Sequence, residues 1–128
     1  MKYDYPLTVI TPTYNRADYL QRLYDSLKMQ TCHSFQWLII DDGSNDATTV
    51  VVQSFDSDFR IDYYYKSNGG KHTALNYSHQ YIRGRVICIV DSDDWLVMDA
   101  VEKIVNNWRK LDRKNVKCIT FLKGMEDG

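Results

Sequence analysis

Three carboxylates within four positions, Asp91, Asp93 and Asp94 with Ser92 between them, are the residues of this chain best placed to do chemistry. They follow directly on Val86-Ile87-Cys88-Ile89-Val90, an unbroken apolar run that predicts a strand buried on both faces of a parallel sheet. The carboxyl end of such a strand is where open α/β sheets bind ligands. Carboxylates this close repel one another, so they stay charged at neutral pH most readily around a cation. A hard divalent ion, Mg²⁺ or Mn²⁺, is the natural choice, with phosphate oxygens as further ligands. An isolated Asp-x-Asp is more often a solvated acidic turn. Here Trp95-Leu96 follow at once and hold the loop near the core. The pattern predicts a metal-dependent site for a phosphorylated, nucleotide-linked substrate, with Asp93 coordinating the cation, Asp91 reaching a sugar hydroxyl and Asp94 available to either.

Two other strand ends carry candidate partners. Asp41-Asp42-Gly43-Ser44 closes the apolar run Phe35 to Ile40 and should open on the same sheet edge. Ser44 and Asp46 are explained by turn and helix-cap chemistry alone, whereas Asp42 can accept a hydrogen bond from a nucleobase N–H. Thr11-Pro12-Thr13-Tyr14-Asn15-Arg16 ends the run Leu7 to Ile10, and Pro12 is expected to stop that strand. Pro12 and Tyr14 offer a flat surface for a base, while Arg16 and Lys71 can answer phosphate charge. The tyrosines Tyr63 to Tyr65 are expected to fill the core.

The elements that must position these groups follow from periodicity. Leu20, Leu23, Tyr24 and Leu27 mark an amphipathic helix from Ala17 to about Gln30, with Asn15 as its expected N-cap. Thr48-Thr49-Val50-Val51-Val52 has strand propensity, yet the Asp46 cap and the Val51/Phe55 spacing fit a short helix, which is expected to join the second strand to a third, Ile61 to Lys66. Ser67-Asn68-Gly69-Gly70 then opens a polar helix from Lys71 to Ile82. Val101, Ile104, Val105, Trp108 and Leu111 pattern a further helix, and Val116 to Leu122 reads as a fifth strand. Strand and helix alternate throughout, so the expected class is α/β: a doubly wound, mostly parallel sheet with helices on both faces.

At 128 residues the chain fits one domain, and its net charge of −1 gives no case for a nucleic-acid partner or a polybasic membrane anchor. No run approaches the roughly 18 to 20 apolar residues of a membrane span. Cys32, Cys88 and Cys118 are widely spaced and read as reduced, mostly buried residues of a cytoplasmic protein. Gly69-Gly70-Lys71-His72 lacks the frame of a P-loop, and there is no G-x-G-x-x-G. The histidines and cysteines do not fall at zinc-ligand spacing. Two alternatives remain on the residues alone. A nucleotidyltransferase would want a glycine-rich basic loop after the first strand, and Thr11 to Arg16 contains no Gly; a Mg²⁺-binding receiver-type signalling domain would place its acidic pair there.

Four segments in one register carry a family resemblance: Val9-Ile10-Thr11-Pro12-Thr13-Tyr14-Asn15-Arg16, Ile40-Asp41-Asp42-Gly43-Ser44, Asn68-Gly69-Gly70-Lys71 to Ala74-Leu75-Asn76, and Asp91-Ser92-Asp93-Asp94. Their order and spacing resemble the family 2 glycosyltransferases with the Rossmann-like GT-A fold, over nearly the whole chain. The resemblance implies a hexosyltransferase-type enzyme that moves a sugar from a nucleotide-sugar donor, a UDP-sugar, to an acceptor hydroxyl with inversion. It implies that Pro12 and Tyr14 flank the uracil, that Asp42 binds its N3–H, and that Asn68 and Lys71 complete the base pocket. Thr11, Arg16 and Ser92 join this nucleotide-binding set. Asp91 would contact the ribose, and Asp93 with Asp94 would hold Mn²⁺ or Mg²⁺ at the diphosphate. The implied acceptor is a saccharide or lipid-linked sugar, in surface polysaccharide or glycolipid synthesis at the inner face of the cytoplasmic membrane. The general base that inversion requires is expected beyond Gly128, which makes residues 1–128 the donor-binding portion of a longer, truncated domain and the portion alone inactive.

Overall fold

The computed structural model describes residues 3–110. Strands and helices alternate as β1 (Tyr5–Thr13), α1 (Ala17–Lys28), β2 (Phe35–Asp41), α2 (Thr48–Gln53), β3 (Arg60–Tyr65), α3 (Lys71–Ser78), β4 (Gly84–Ile89) and α4 (Ala100–Lys110). The pairings among the described strands are parallel, in the order β3-β2-β1-β4. The chain winds from β1 outward to β3 and then crosses back to β4 on the other side of β1. That reversal creates a switch point between the carboxyl ends of β1 and β4, where α/β sheets open a ligand crevice. The expected α/β class is what the structure contains. The expected fifth strand at 116–122 lies outside the described residues, as does Leu111.

Side chains alternate between two layers, as the pleat requires. Leu7 and Val9 of β1 with Phe35, Trp37 and Ile39 of β2 pack under α1, α2 and α4, meeting Leu20, Leu23, Leu27, Val52, Val101, Ile104 and Val105. Leu20, Leu23 and Leu27 are fully buried, and each apolar side chain of this size contributes about 1.5–3 kcal/mol by leaving water. On the opposite face Ile10, Leu38 and Ile40 meet Ala74 of α3, with Tyr64 and Tyr81 stacked beside them. Gln36 is fully buried on this face and is satisfied on every side. Its Oε1 accepts from Thr8 Oγ1 and Arg83 N, and its Nε2 donates to Asp62 and to Tyr81 O.

Several expectations are corrected. The run Val86 to Val90 is not buried on both faces: Ile87 is 40% and Ile89 52% exposed. Among the described strands β4 pairs with β1 alone, and α3 packs chiefly against β1 and β2. Pro12 does not end β1, which runs on to Thr13 with Pro12 in register with Ile40. Thr13 O accepts from Asp42 N on the β2 side, so the N–H that Pro12 lacks would face the β4 side. There the ladder has already ended at Ile10 and Ile89, and proline is tolerated where no ladder bond is lost. Asn15 does not cap α1. It adopts a left-handed φ of 52°, and its side chain accepts from Asn45 N. The α1 N-terminus is met instead by Asp46, whose Oδ2 accepts from Ala17 N at 3.3 Å. The polar helix stops at Ser78 and tightens into a 3-10 turn at His79–Tyr81, with Ile82 extended. Cys32 and Cys88 are half-buried free thiols, and Tyr65 is exposed rather than a core residue.

Candidate functional site

Pro12, Thr13, Tyr14, Arg16, Asp42, Lys71, Asp91, Ser92 and Asp93 line one cleft of about 290 Å³ at the switch point. β1 delivers the first of these, the turn after β2 delivers Asp42, the first residue of α3 is Lys71, and the loop after β4 supplies the acids. Tyr14 is 46% exposed and lines the cleft. Carboxylate oxygens of Asp91, Asp93 and Asp94 lie within 4.8 Å of one another. An all-oxygen donor set this compact suits a hard divalent cation, so these residues fit such an ion. Lys71 Nζ stands 2.7 Å from Asp91 Oδ1, a half-exposed ion pair across the cleft.

Asp42 is the most elaborately held group. It is 4% exposed. Its Oδ1 accepts from Lys66 Nζ at 2.9 Å and Gly69 N at 3.0 Å, and its Oδ2 from Gly70 N at 2.8 Å and Asn68 Nδ2 at 3.3 Å. Burial works to raise its pKa, but the hydrogen bonds from Lys66, Gly70 and Gly69 outweigh it and hold the carboxyl below the ordinary 3.8. The turn that aims it depends on Gly43 at φ +85°, where a Cβ would come within 2.8 Å of Asn68 N. Asp41 beside it is spent on structure: fully buried, it accepts from Ser44 N and from Tyr63 OH.

The structure brings most of the sequence-predicted residues together, with three placed differently. Thr11 lies outside the cleft lining: its hydroxyl is turned into the core layer, where it accepts from Trp37 Nε1 at 2.9 Å. Asn68 stands behind the cleft and donates to Asp42 O at 2.9 Å. Asp94 reaches the acidic cluster without lining the cleft. Two residues were missed by sequence reasoning. Thr13 lines the cleft, with its buried Oγ1 unpartnered among the described residues. Lys66 follows β3, where the register of Asp41 with Tyr65 sets it beside Asp42. That register is a product of the folded sheet and leaves no local signal in the sequence.

With this geometry in view, the model of glycosyl transferase family 2 matches residues 8–128. The chain belongs to that family. This family 2 chain is 34% identical over 110 residues to an uncharacterized glycosyltransferase of Rickettsia typhi, covering 86% of this chain and 34% of the relative. It is 36% identical over 105 residues to glycosyltransferase GlyA of Streptococcus pneumoniae, covering 81% and 15%. Its fold matches S. aureus TarS 1-349 in complex with UDP-GlcNAc with a TM-score of 0.74 at 27% identity, over 83% of this chain and 30% of that one. The family 2 chain therefore spans about a third or less of the length of these relatives. No helix among its described residues is long and apolar enough to cross a membrane.

Proposed function

We propose that residues 1–128 form the donor-binding portion of an inverting, metal-dependent glycosyltransferase that moves a sugar from a UDP-sugar to an acceptor hydroxyl. The observation that carries this reading is the convergence of Tyr14, Asp42, Lys71, Asp91 and Asp93 on one cleft at the switch point of the sheet. The UDP-GlcNAc bound by TarS, a structural relative at 27% identity, supports a uridine donor.

In this reading the uracil lies between Pro12 and Tyr14, with its N3–H directed to Asp42. All four lone-pair positions of that carboxylate are already used. The base therefore displaces the longest contact, from Asn68 at 3.3 Å. Asp91 receives the ribose, Ser92 lies beside it, and Arg16 and Lys71 face the diphosphate. Mn²⁺ or Mg²⁺ would be held by Asp93 with Asp94, and when bound it offsets the negative charge that grows on the departing nucleotide. Lys71 is then released from Asp91 to the phosphates, exchanging one charge partner for another within the same cleft. The general base comes from chain beyond Gly128, so these residues alone bind donor without turning it over. Surface polysaccharide or glycolipid synthesis at the cytoplasmic membrane face is the setting in which a saccharide or lipid-linked acceptor would be met.

Calorimetric titration of UDP with and without Mn²⁺ tests the reading. Binding should strengthen with the metal, and Asp93→Ala should abolish that gain. UDP affinity that ignores both Mn²⁺ and Asp93 would overturn it.

A further inference from the structure

Outside the cleft, one stripe of α1 is devoted to the loop that carries the acids. Arg22 and Ser26 stand at i and i+4, the spacing that puts side chains on one helix face, and Gln30 follows just past the helix end. Arg22 Nη2 donates to Asp93 O at 2.6 Å, Ser26 Oγ accepts from Leu96 N at 3.2 Å, and Gln30 Nε2 donates to Val97 O at 2.7 Å. Two rungs of α1 and the residue just beyond its end thus meet the backbone of residues 93–97. The rung nearest the cluster is also stacked: the Arg22 guanidinium lies 4.4 Å from the Trp95 ring centroid and 5.5 Å from that of Tyr19. Tyr19 in turn carries Arg16, a cleft-lining residue, at 5.5 Å.

We infer that Arg22 is a positioning residue for the candidate metal loop, fixing the Asp93 backbone so that the carboxylates of Asp91, Asp93 and Asp94 converge. The inference rests on the proposal that this cluster holds a divalent cation. The acids repel one another, and within the loop the Asp94 N to Asp91 O turn bond of 3.0 Å spans the segment without restraining the Asp93 carbonyl. A planar guanidinium can donate to that carbonyl and stack on an indole at the same time, which an ammonium does far less well. Its base is rigid, because Leu20 and Leu23 on either side are fully buried. Arg22 itself is exposed, so its removal opens no cavity, while Ser26 and Gln30 keep residues 96 and 97 tethered.

The test compares the intact protein with its Arg22→Ala, Arg22→Lys and Asp93→Ala variants. Mn²⁺ binding in the presence of UDP is followed by the electron paramagnetic resonance of the free ion, beside the thermal midpoint of each protein. Arg22→Ala should weaken Mn²⁺ binding roughly tenfold, the scale of one charge-assisted hydrogen bond, with its thermal midpoint close to wild type. Arg22→Lys should recover part of the affinity, and it carries the test should the alanine variant fail to fold. Wild-type Mn²⁺ affinity in both Arg22 variants, with Asp93→Ala losing it, would overturn the role of Arg22 and leave the metal site standing. A wild-type protein that binds no Mn²⁺ would overturn the metal site itself.

Discussion

Lys66 Nζ lies 2.9 Å from Asp42 Oδ1, with the side chains 15% and 6% exposed, and the same ammonium reaches Ser67 O and Thr73 Oγ1. One lysine thereby joins the end of β3, the carboxylate after β2 and the first turn of α3. The glycine loop between β3 and α3 is shaped around Asp42, and Lys71 begins the helix that the loop delivers. A buried charge at the centre of a site is tolerable only when it is paired and hydrogen-bonded.

Lys66→Met should destabilise the protein by about 3–5 kcal/mol, because it leaves the Asp42 carboxylate buried without its counter-charge. Asp42→Asn in the same chain should restore part of the loss. The pH dependence has a definite sign. Asp42 is held below its ordinary 3.8 in the folded state, so its stabilising contribution is fully present above that value and is lost as pH falls through the lowered one. Without Lys66 the acid limb of the stability curve should move to higher pH. Urea unfolding between pH 3 and 7, a range of roughly four units around and above the ordinary carboxylate value, measures both effects; an unshifted acid limb would contradict the pairing.

Thr13→Val should leave the donor-free protein as stable as wild type or more stable by about 1 kcal/mol. The Thr13 hydroxyl is buried without a hydrogen-bond partner among the described residues, and replacing an unsatisfied polar atom by a methyl group of similar shape removes a desolvation cost. Thermal unfolding of the variant checks this. A clear loss of stability would mean that the hydroxyl has a partner after all.

Asp91→Asn separates binding from stability. The Lys71–Asp91 pair is 56% and 43% exposed, and pairs at that exposure contribute at most about 1 kcal/mol. Unfolding free energy should therefore change little. UDP binding should fall by about tenfold, as expected for the loss of a charged hydrogen bond to a ligand hydroxyl. Chemical denaturation and calorimetry on one preparation give both numbers, and parallel losses in the two would make Asp91 a structural residue.

Among the described residues the chain pattern alone determined the order of strands and helices, that the sheet is parallel, and that acidic turns fall at strand ends. Those features are local. Leu20, Leu23, Tyr24 and Leu27 report a buried helix face by their spacing, and Asp46 announces the start of α2 two residues on, where its Oδ1 accepts from Thr48 N. Tertiary structure alone decided which turns meet. Asn15 looks like a helix cap in sequence, yet its backbone N donates to Ser44, across 29 positions, because two loops at one sheet edge each have polar groups to satisfy. Thr11 and Thr13 are equivalent by pattern; only the end of the core layer separates the one bonded to Trp37 from the one in the cleft. The burial of β4 was misjudged because an apolar run records what a strand can bury, not what packs upon it. Lys66 beside Asp42 and Arg22 beneath Asp93 were invisible for the same reason. Each pairing spans 24 and 71 positions respectively, and a contact at that separation is set by strand register and helix placement, which no local periodicity encodes.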